Sequence, residues 1–419
     1  MVYENFDLRI DADGGGFVVR ARAARGSASH ELRLPQELAA GLFEPPAAGP
    51  ASEQAQPVSG DTHSQRQPFA NLSPRRQGSL LFSALFAGQV RSLFDSSLGE
   101  AQARPETGIL IRLRFDLRDI RVRPLLDLPW ELLFDEAQGR FLGLRRGTPI
   151  VRCLDIASPA HPLPLSSPLR VLAVMANPSS SPALDLTAEW RSIELAFAGP
   201  GQVQLVTLEH ATREELLHTL REESFHVVHF MGHGSFDQSS GAGALLLESS
   251  DRRADPIAAE ALAALFSDRK HPILVILNAC HTARSTAAAD LDPYVGVASA
   301  LVLAGLPAVL AMRSAILDPA AVKITAELYR RLARGDRLEA AVSEVRLALS
   351  TTYEGTSEWA VPALFLREEP AAAPDQPFPV PLAEVEKAPP GLPGIVLHQE
   401  GVDIKTQIIA GKVGTLNVN

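Results

Sequence analysis

The sequence predicts an α/β fold, a doubly wound and mainly parallel sheet flanked by helices, with a smaller α+β region at the N-terminus. From Leu169 onward, short apolar runs such as "LRVLAVMA" and "PILVILNA" alternate with segments of helical periodicity. Continuous rather than alternating hydrophobicity is typical of strands buried on both faces. Strands that alternate with helices form parallel sheets covered by those helices.

The α/β region is predicted to span residues 156–367. Gly305 and Pro307 divide its longest uncharged run, which therefore indicates a buried helix end, a turn and a buried strand rather than a membrane span. The predicted strands are "LRVLAVMA", "VQLVTLE", "FHVVHFMG", "ALLLES", "PILVILNA" and "AVPALFL", and the predicted helices lie near Thr187–Phe197, Thr212–Glu222, Pro256–Phe266 and, as a pair, Ala320–Ser350.

Residues 1–155 are predicted to form the smaller scaffold region. Alternating apolar and polar residues around "DADGGG" indicate an antiparallel hairpin. Residues 43–77 are rich in Pro, Ser, Gln and Ala, so they bury too little apolar area to offset chain entropy and predict a mobile loop. Apolar residues at helical spacing from Ser79 to Phe94 then predict one amphipathic helix of about five turns.

The last part of the chain differs from both regions. Residues 368–394 are rich in proline and predict a stiff, extended linker. Residues 395–419 carry strand-like apolar positions with glycines between them, in a segment too short for its own core. We expect this tail to dock on the main domain, to self-associate or to add strands to a partner.

Charge and cysteine content limit the function classes. The net charge of −10 argues against general affinity for nucleic acid or for anionic membranes. The two cysteines are too few for a disulfide framework, and no basic and apolar leader opens the chain. A cytoplasmic protein is expected.

Two predicted strands end on reactive side chains. His233 follows the run "HVVHFMG", and Cys280 follows "ILVILNA". In open α/β sheets the carboxyl ends of parallel strands meet at one edge, where reactive groups collect. We therefore expect the two side chains at the same edge of the sheet. The glycines on both sides of His233 are interpreted as freeing the backbone to turn.

An imidazole beside a thiol is the arrangement that acyl transfer requires. A free thiol is only a few per cent ionised at neutral pH, so a nearby histidine helps to form the nucleophile and then protonates the leaving amine. The backbone N–H groups of Gly234 and Cys280 are candidates for an oxyanion hole. This chemistry needs no cofactor, and no ligand spacing supports a metal site. His226 and His229 are interpreted as satisfied core histidines.

These motifs carry a family resemblance. "HFMGHGSFD" and "LVILNACHTA", preceded by "LPWELL", are similar to the CHAT family of caspase-like cysteine proteases, related to separase and metacaspases, over about Gly78 to Leu366. The resemblance implies a caspase-like fold, His233 as the general acid/base, Cys280 as the nucleophile and the N–H groups of Gly234 and Cys280 as the oxyanion hole.

The resemblance also bears on the substrate pocket. Asn278 stands two residues before the cysteine where caspases carry glutamine, and Asn177 stands where a caspase arginine would grip aspartate. Asp318 resembles the separase acid proposed to meet a basic side chain, which favours a substrate Arg or Lys. Arg284 and Arg313 leave an acidic substrate open.

Two function classes remain. The first hypothesis is a cysteine endopeptidase that cuts a protein partner, is regulated by a partner or a signal, and belongs to a bacterial defence or signalling system, as the resemblance implies. The alternative is a catalytically inactive caspase-like interaction module that acts through its C-terminal tail. An activating or regulatory protein is expected to bind that tail. Neither nucleic acid nor membrane is expected as a partner.

Overall fold

The computed structural model describes residues 1–35, 38, 69–155, 168–197, 203–237, 242–266, 272–279, 293–314 and 316–367. Most of the predicted loop, the linker and the tail lie outside these residues. The strands are β1 (Val2–Asp13), β2 (Gly16–Ala23), β3 (Gly26–Leu32), β4 (Thr107–Phe115), β5 (Phe134–Asp135), β6 (Arg140–Phe141), β7 (Ile150–Leu154), β8 (Leu169–Met175), β9 (Val203–Leu208), β10 (Val227–Asp237), β11 (Ala242–Glu248), β12 (Ala254–Ala258), β13 (Leu274–Ala279), β14 (Ala308–Met312) and β15 (Pro362–Arg367). The helices are α1 (Pro74–Leu85), α2 (Gly88–Gln102), α3 (Arg123–Leu126), α4 (Leu186–Ala196), α5 (Arg213–Glu222), α6 (Ala259–Ala264), α7 (Pro293–Leu303), α8 (Asp318–Ala333) and α9 (Leu338–Thr352).

One sheet runs through the described part of the chain. Its strand order is β9-β8-β10-β13-β14-β15-β7-β4-β1-β2-β3, and β11 and β12 extend it from the far end of β10. Neighbours from β9 to β14 are parallel, and β15 runs antiparallel to β14. The predicted fold class, a mainly parallel sheet with helices on both faces, is confirmed.

Two apolar cores cover the two faces of the sheet. The alternate residues Val228, Phe230, Val275 and Leu277 pack on one face with α5, α6 and α7. Their neighbours Val227, Met231, Leu274 and Ile276 pack on the other face with α4, α8 and α9. Since successive side chains of a strand point to opposite faces, this division fixes the direction of each residue near the strand ends. No helix in the described ranges is long and apolar enough to cross a membrane.

The sheet continues across residue 155, where the predicted N-terminal region ends. β7 pairs in parallel with β15, so strands on both sides of that boundary are neighbours. Beside them lies a buried ion cluster around Glu131, the acid of "LPWELL". Arg152 Nη2 lies 2.7 Å from its carboxylate, and guanidinium nitrogens of Arg346 and Arg313 lie 3.8 and 3.9 Å away. Burial raises the pKa of Glu131, but these cations outweigh it and hold the pKa below its usual value.

Some predicted element boundaries are wrong. The single helix of about five turns is two helices, α1 and α2, because the chain turns at Gly88, where φ is +51°. α1 begins at Pro74 behind the capping side chain of Ser73, so the loop predicted for 43–77 does not reach residue 77. Pro256 lies in the edge strand β12, and the helix predicted there begins only at Ala259.

Asp127 gives the fold a pH dependence. Burial raises its pKa from 3.8 to about 6, against the opposing effect of Arg152 and Arg313. Because the folded protein then holds this proton more tightly than the unfolded chain does, the stabilisation is complete below pH 3.8 and is lost as the pH rises to 6. Relative to Asp127→Asn, we expect the free energy of unfolding to fall by at most about 3 kcal/mol across this window. Urea unfolding of the wild type and of Asp127→Asn at several pH values measures this difference. If the free energies of unfolding of the two proteins changed in parallel with pH, the prediction would be contradicted.

Candidate active site

The strand ends line up in register at one edge of the sheet. Met231 of β10 is level with Met175 of β8 on one side and with Asn278 of β13 on the other. One residue further, Gly232 is level with Ala279. β9 and β10 follow β8 in the chain but lie on opposite sides of it, so the winding direction of the sheet reverses between β8 and β10. In doubly wound sheets, ligands bind outside the carboxyl ends of the strands at such a reversal.

His233 lies at this reversal. It follows Gly232 on β10 and shares the sheet face of Met231 by alternation, and only 3% of its surface is exposed. Its Nε2 lies 2.8 Å from the backbone oxygen of Pro182, an exposed residue in the segment that connects β8 to α4. Because a carbonyl oxygen only accepts, Nε2 carries the proton in this contact. In the neutral ring, Nδ1 is then the basic nitrogen.

The glycine before His233 is required by close packing. A Cβ atom on Gly232 would lie 2.7 Å from the backbone oxygen of Ala176, the residue that directly follows the neighbouring strand β8. The interpretation that the glycines free the backbone to turn is wrong, because β10 continues as a strand to Asp237. Gly234 lies in that continuation and pairs with Leu245 of β11.

Cys280 lies outside the described residues, as does Arg284. β13 ends at Ala279, the residue before Cys280 in the chain, and Ala279 is level with the residue before His233. The structure thus brings the strand ends that precede the two predicted catalytic residues side by side.

The two predicted substrate-binding asparagines both make hydrogen bonds within the fold. Asn177 follows β8, and its side chain donates to the backbone oxygen of Leu184 and accepts from the N–H of the same residue, at 3.1 and 3.3 Å. Asn278 is buried beneath the edge and donates through Nδ2 to Glu189 at 2.6 Å and to Thr325 at 3.1 Å.

Asp318 begins α8, after the end of β14. β14 runs parallel to β13, so Asp318 follows a strand that ends at the same edge as β10 and β13. Arg313, the other residue considered for the substrate pocket, donates instead to the backbone oxygen of Asp127 at 2.7 Å.

The other two histidines of this run contact partners within the fold, although Nε2 of His229 makes no hydrogen bond to any described residue. His226 accepts from the backbone N–H of Arg170 at 2.9 Å. His229 is fully buried, with Nδ1 3.1 Å from the hydroxyl of Tyr329 and Nε2 3.2 Å from Glu189. Burial, reinforced by the charge of Glu189, raises the pKa of Tyr329 well above its usual value. Within the described ranges, no three His, Cys, Asp or Glu side chains are arranged to hold a metal ion.

The carbonyl of Pro182 was not predicted from the sequence. A backbone oxygen carries no residue-type signal, because every residue has one. The available signal was positional, since "NPSSSP" directly follows the first strand of the α/β region, where a doubly wound sheet brings a loop over its switch point.

Fold and site define a doubly wound α/β protein with a buried, carbonyl-anchored histidine at its switch point. Residues 75–367, well over half of the chain, match the CHAT domain. The chain belongs to the CHAT domain family. No match was found among curated proteins.

Several solved structures are similar to the chain. Gingipain R, described as an Arg specific cysteine proteinase, is 13% identical with a TM-score of 0.43, over 67% of this chain and 68% of that chain. A complex of the pro- and mature domains of RgpB from Porphyromonas gingivalis is 11% identical with a TM-score of 0.42, over 69% and 70% of the two chains. The separase–securin complex of Saccharomyces cerevisiae is 17% identical with a TM-score of 0.36, over 62% of this chain and 15% of that chain.

Proposed function

We propose that the protein is a cysteine endopeptidase in which His233 is the general acid/base and Cys280 is the nucleophile. The observation that carries the proposal is the anchored ring of His233 at the switch point of the sheet, where its Nε2 donates to Pro182. A base must be held in one tautomer and one orientation to act repeatedly on the same proton. In this tautomer Nδ1 carries no proton, and it is the nitrogen assigned to that role.

The strand register supports the pairing with Cys280. Gly232 and Ala279 are level on adjacent parallel strands, and the two proposed catalytic residues follow them directly. Adjacent strands lie about 4.8 Å apart, and successive Cα atoms about 3.8 Å apart. We propose that the chain continues in the strand direction for one residue beyond Ala279, which would bring the thiol within reach of the imidazole.

The proposed reaction has two stages. Nδ1 of His233 takes the thiol proton, and the sulfur attacks the carbonyl carbon of the scissile peptide bond. The N–H groups of Gly234 and Cys280 stabilise the oxyanion, and the imidazolium returns the proton to the leaving amine. Departure of the amine breaks the C–N bond and leaves the acyl group on the sulfur as a thioester. Water, deprotonated by the same nitrogen, then hydrolyses this thioester and releases the acid and the thiol.

The pocket for the substrate side chain is proposed at the same edge. Asp318 is assigned to a substrate Arg or Lys, since a carboxylate at the edge favours a cation. Asn177 and Asn278 complete the pocket through the segments they hold, the β8–α4 connection and the end of β13.

The substrate is proposed to be a protein of the same bacterial cell, in a defence or signalling system, with the enzyme in the cytoplasm. Such an enzyme is proposed to stay inactive until a signal, or an activating or regulatory protein that binds the C-terminal tail, switches it on. What supports regulation is the general requirement that an intracellular endopeptidase be controlled.

The test uses peptides that carry Arg, Lys, Asp or Asn at the residue before the scissile bond. It compares their cleavage by the wild type with their cleavage by Cys280→Ala. The matched control is Cys153→Ala, which removes the second, buried cysteine. We expect cleavage by the wild type and the control, with preference for Arg or Lys, and none by Cys280→Ala. Iodoacetamide labelling is a second readout that needs no substrate. If no peptide is cut and Cys280 reacts no faster than a free cysteine, the protein is an interaction module and the proposal fails.

A further inference from the structure

Glu248 is a buried carboxylate at the end of β11, outside the proposed catalytic pair. Its side chain is 0% exposed, while its partners His210 and Arg252 are about half exposed. Oε1 accepts from the backbone N–H of Asn177 at 2.8 Å and lies 3.3 Å from His210 Nδ1, and Arg252 Nε lies 2.7 Å from Oε2. A carboxylate is kept out of water only where its partners offset the lost hydration.

The contact to Asn177 fixes the start of the segment 177–184, which connects β8 to α4. The side chain of Asn177 holds the other end of this segment through its two hydrogen bonds to Leu184. The turn after Glu248 holds the middle, because Ser179 donates to the backbone oxygen of Arg252 through its N–H at 2.7 Å and through its hydroxyl at 2.9 Å.

The same segment carries the carbonyl that orients His233. Pro182 lies between the two fixed ends, and its oxygen is 2.8 Å from His233 Nε2. Pro182, Ser179 and Ser180 are exposed, so core packing does not hold these residues in place. Pro178 and Leu184 of the same segment are buried, so the exposed residues between them depend on polar contacts from Glu248 and from the turn that follows it.

We propose that Glu248 is a positioning residue for His233, acting through Asn177 and the carbonyl of Pro182. The catalytic consequence rests on the proposed function, since the orientation of the ring matters to the rate only if His233 is the base. Around metal-bound histidines, loss of such an outer hydrogen-bonding partner typically costs about 10- to 100-fold in affinity or activity, and we take this as the scale for His233. We expect a loss in this range for Glu248→Ala, in kcat rather than in KM.

The first experiment tests the geometry by itself. In proton NMR of histidine-labelled full-length protein, the buried Nε2–H of His233 gives a slowly exchanging imidazole signal, which is assigned by its absence from His233→Asn. We expect this signal to be lost in Glu248→Ala and in Asn177→Ala. It is retained in Glu248→Gln, whose amide oxygen still accepts from the N–H of Asn177. It is also retained in Asp255→Asn, which removes a surface ion pair of the neighbouring strand β12.

The second experiment measures the alkylation rate of Cys280 by iodoacetamide in the same proteins. Glu248→Ala and Asn177→Ala are expected to react about 10- to 100-fold more slowly than the wild type, and the double variant no more slowly than the slower single variant. A folded Glu248→Ala that keeps both the ring signal and the wild-type rate overturns the inference. If Glu248→Ala does not fold, Asn177→Ala decides in the same way. If Cys280 is unreactive in the wild type, the proposed function fails, and the ring signal still tests the positioning.

Discussion

Replacing His233 with Asn or Ala is expected to lower kcat/KM for peptide cleavage by about 10²- to 10⁴-fold, the usual contribution of a general acid/base. The physical reason is the loss of the nitrogen that takes the thiol proton and returns it to the leaving amine. The alkylation rate of Cys280 by iodoacetamide falls with it, because the thiolate loses its partner. Single-turnover cleavage and mass spectrometry of the alkylated peptide measure the two quantities.

A matched control is His226→Asn. His226 is also buried beside β10, but its Nδ1 accepts from the backbone of Arg170, away from the carboxyl edge, and an asparagine oxygen can take over that role. We expect a rate within a few-fold of the wild type. Equal losses in the His233 and His226 variants would indicate a general effect on folding and would contradict the assignment of His233.

Replacing Glu131 with Ala is expected to cost about 3–5 kcal/mol of the free energy of unfolding, the typical penalty for removing one partner of a buried ion pair. Arg152 and Arg346 are both fully buried, and Glu131 is the carboxylate within 4 Å of both guanidinium groups. Without it, two buried cations face each other. Urea unfolding followed by circular dichroism measures the loss.

An exposed ion pair provides the control for Glu131. Glu31 and Arg33 form a salt bridge with both side chains more than half exposed, so Glu31→Ala is expected to change the free energy of unfolding by at most about 1 kcal/mol. A Glu131→Ala protein as stable as Glu31→Ala would show that the buried cluster contributes no more to stability than an exposed ion pair does.

The continuous apolar runs were sufficient to predict the α/β class and most of its strands. "LRVLAVMA" and "PILVILNA" are buried on both faces, and their shortness and β-branched residues favour strands over buried helices. The rule that the carboxyl ends of parallel strands share one edge predicted that the strands before His233 and Cys280 end at the same edge, and the structure shows these two strands to be neighbours.

Other features depend on contacts between residues far apart in sequence, which local patterns do not encode. Ala176 and Gly232 are 56 residues apart in the sequence, and their close approach comes from the spacing of two neighbouring strands. The continuity of the sheet across residue 155 depends on β15 pairing with β7, more than 200 positions away. The anchoring of His233 uses a backbone oxygen, which every residue has. The role of Glu248 depends on the contact between the end of β11 and Asn177, which follows β8.

The most direct test of the proposed pair is disulfide formation in a His233→Cys variant, with Cys153→Ala to remove the other thiol. A disulfide requires Cα atoms about 4.4–6.8 Å apart, a range that includes neighbouring residues of adjacent strands. Under mild oxidation, we predict rapid loss of both titratable thiols in the folded monomer and a mass decrease of about 2 Da for the two lost protons, with slower loss in urea. Two thiols that stay free in the folded protein and pair only after unfolding would show that positions 233 and 280 do not meet, and the dyad would be excluded.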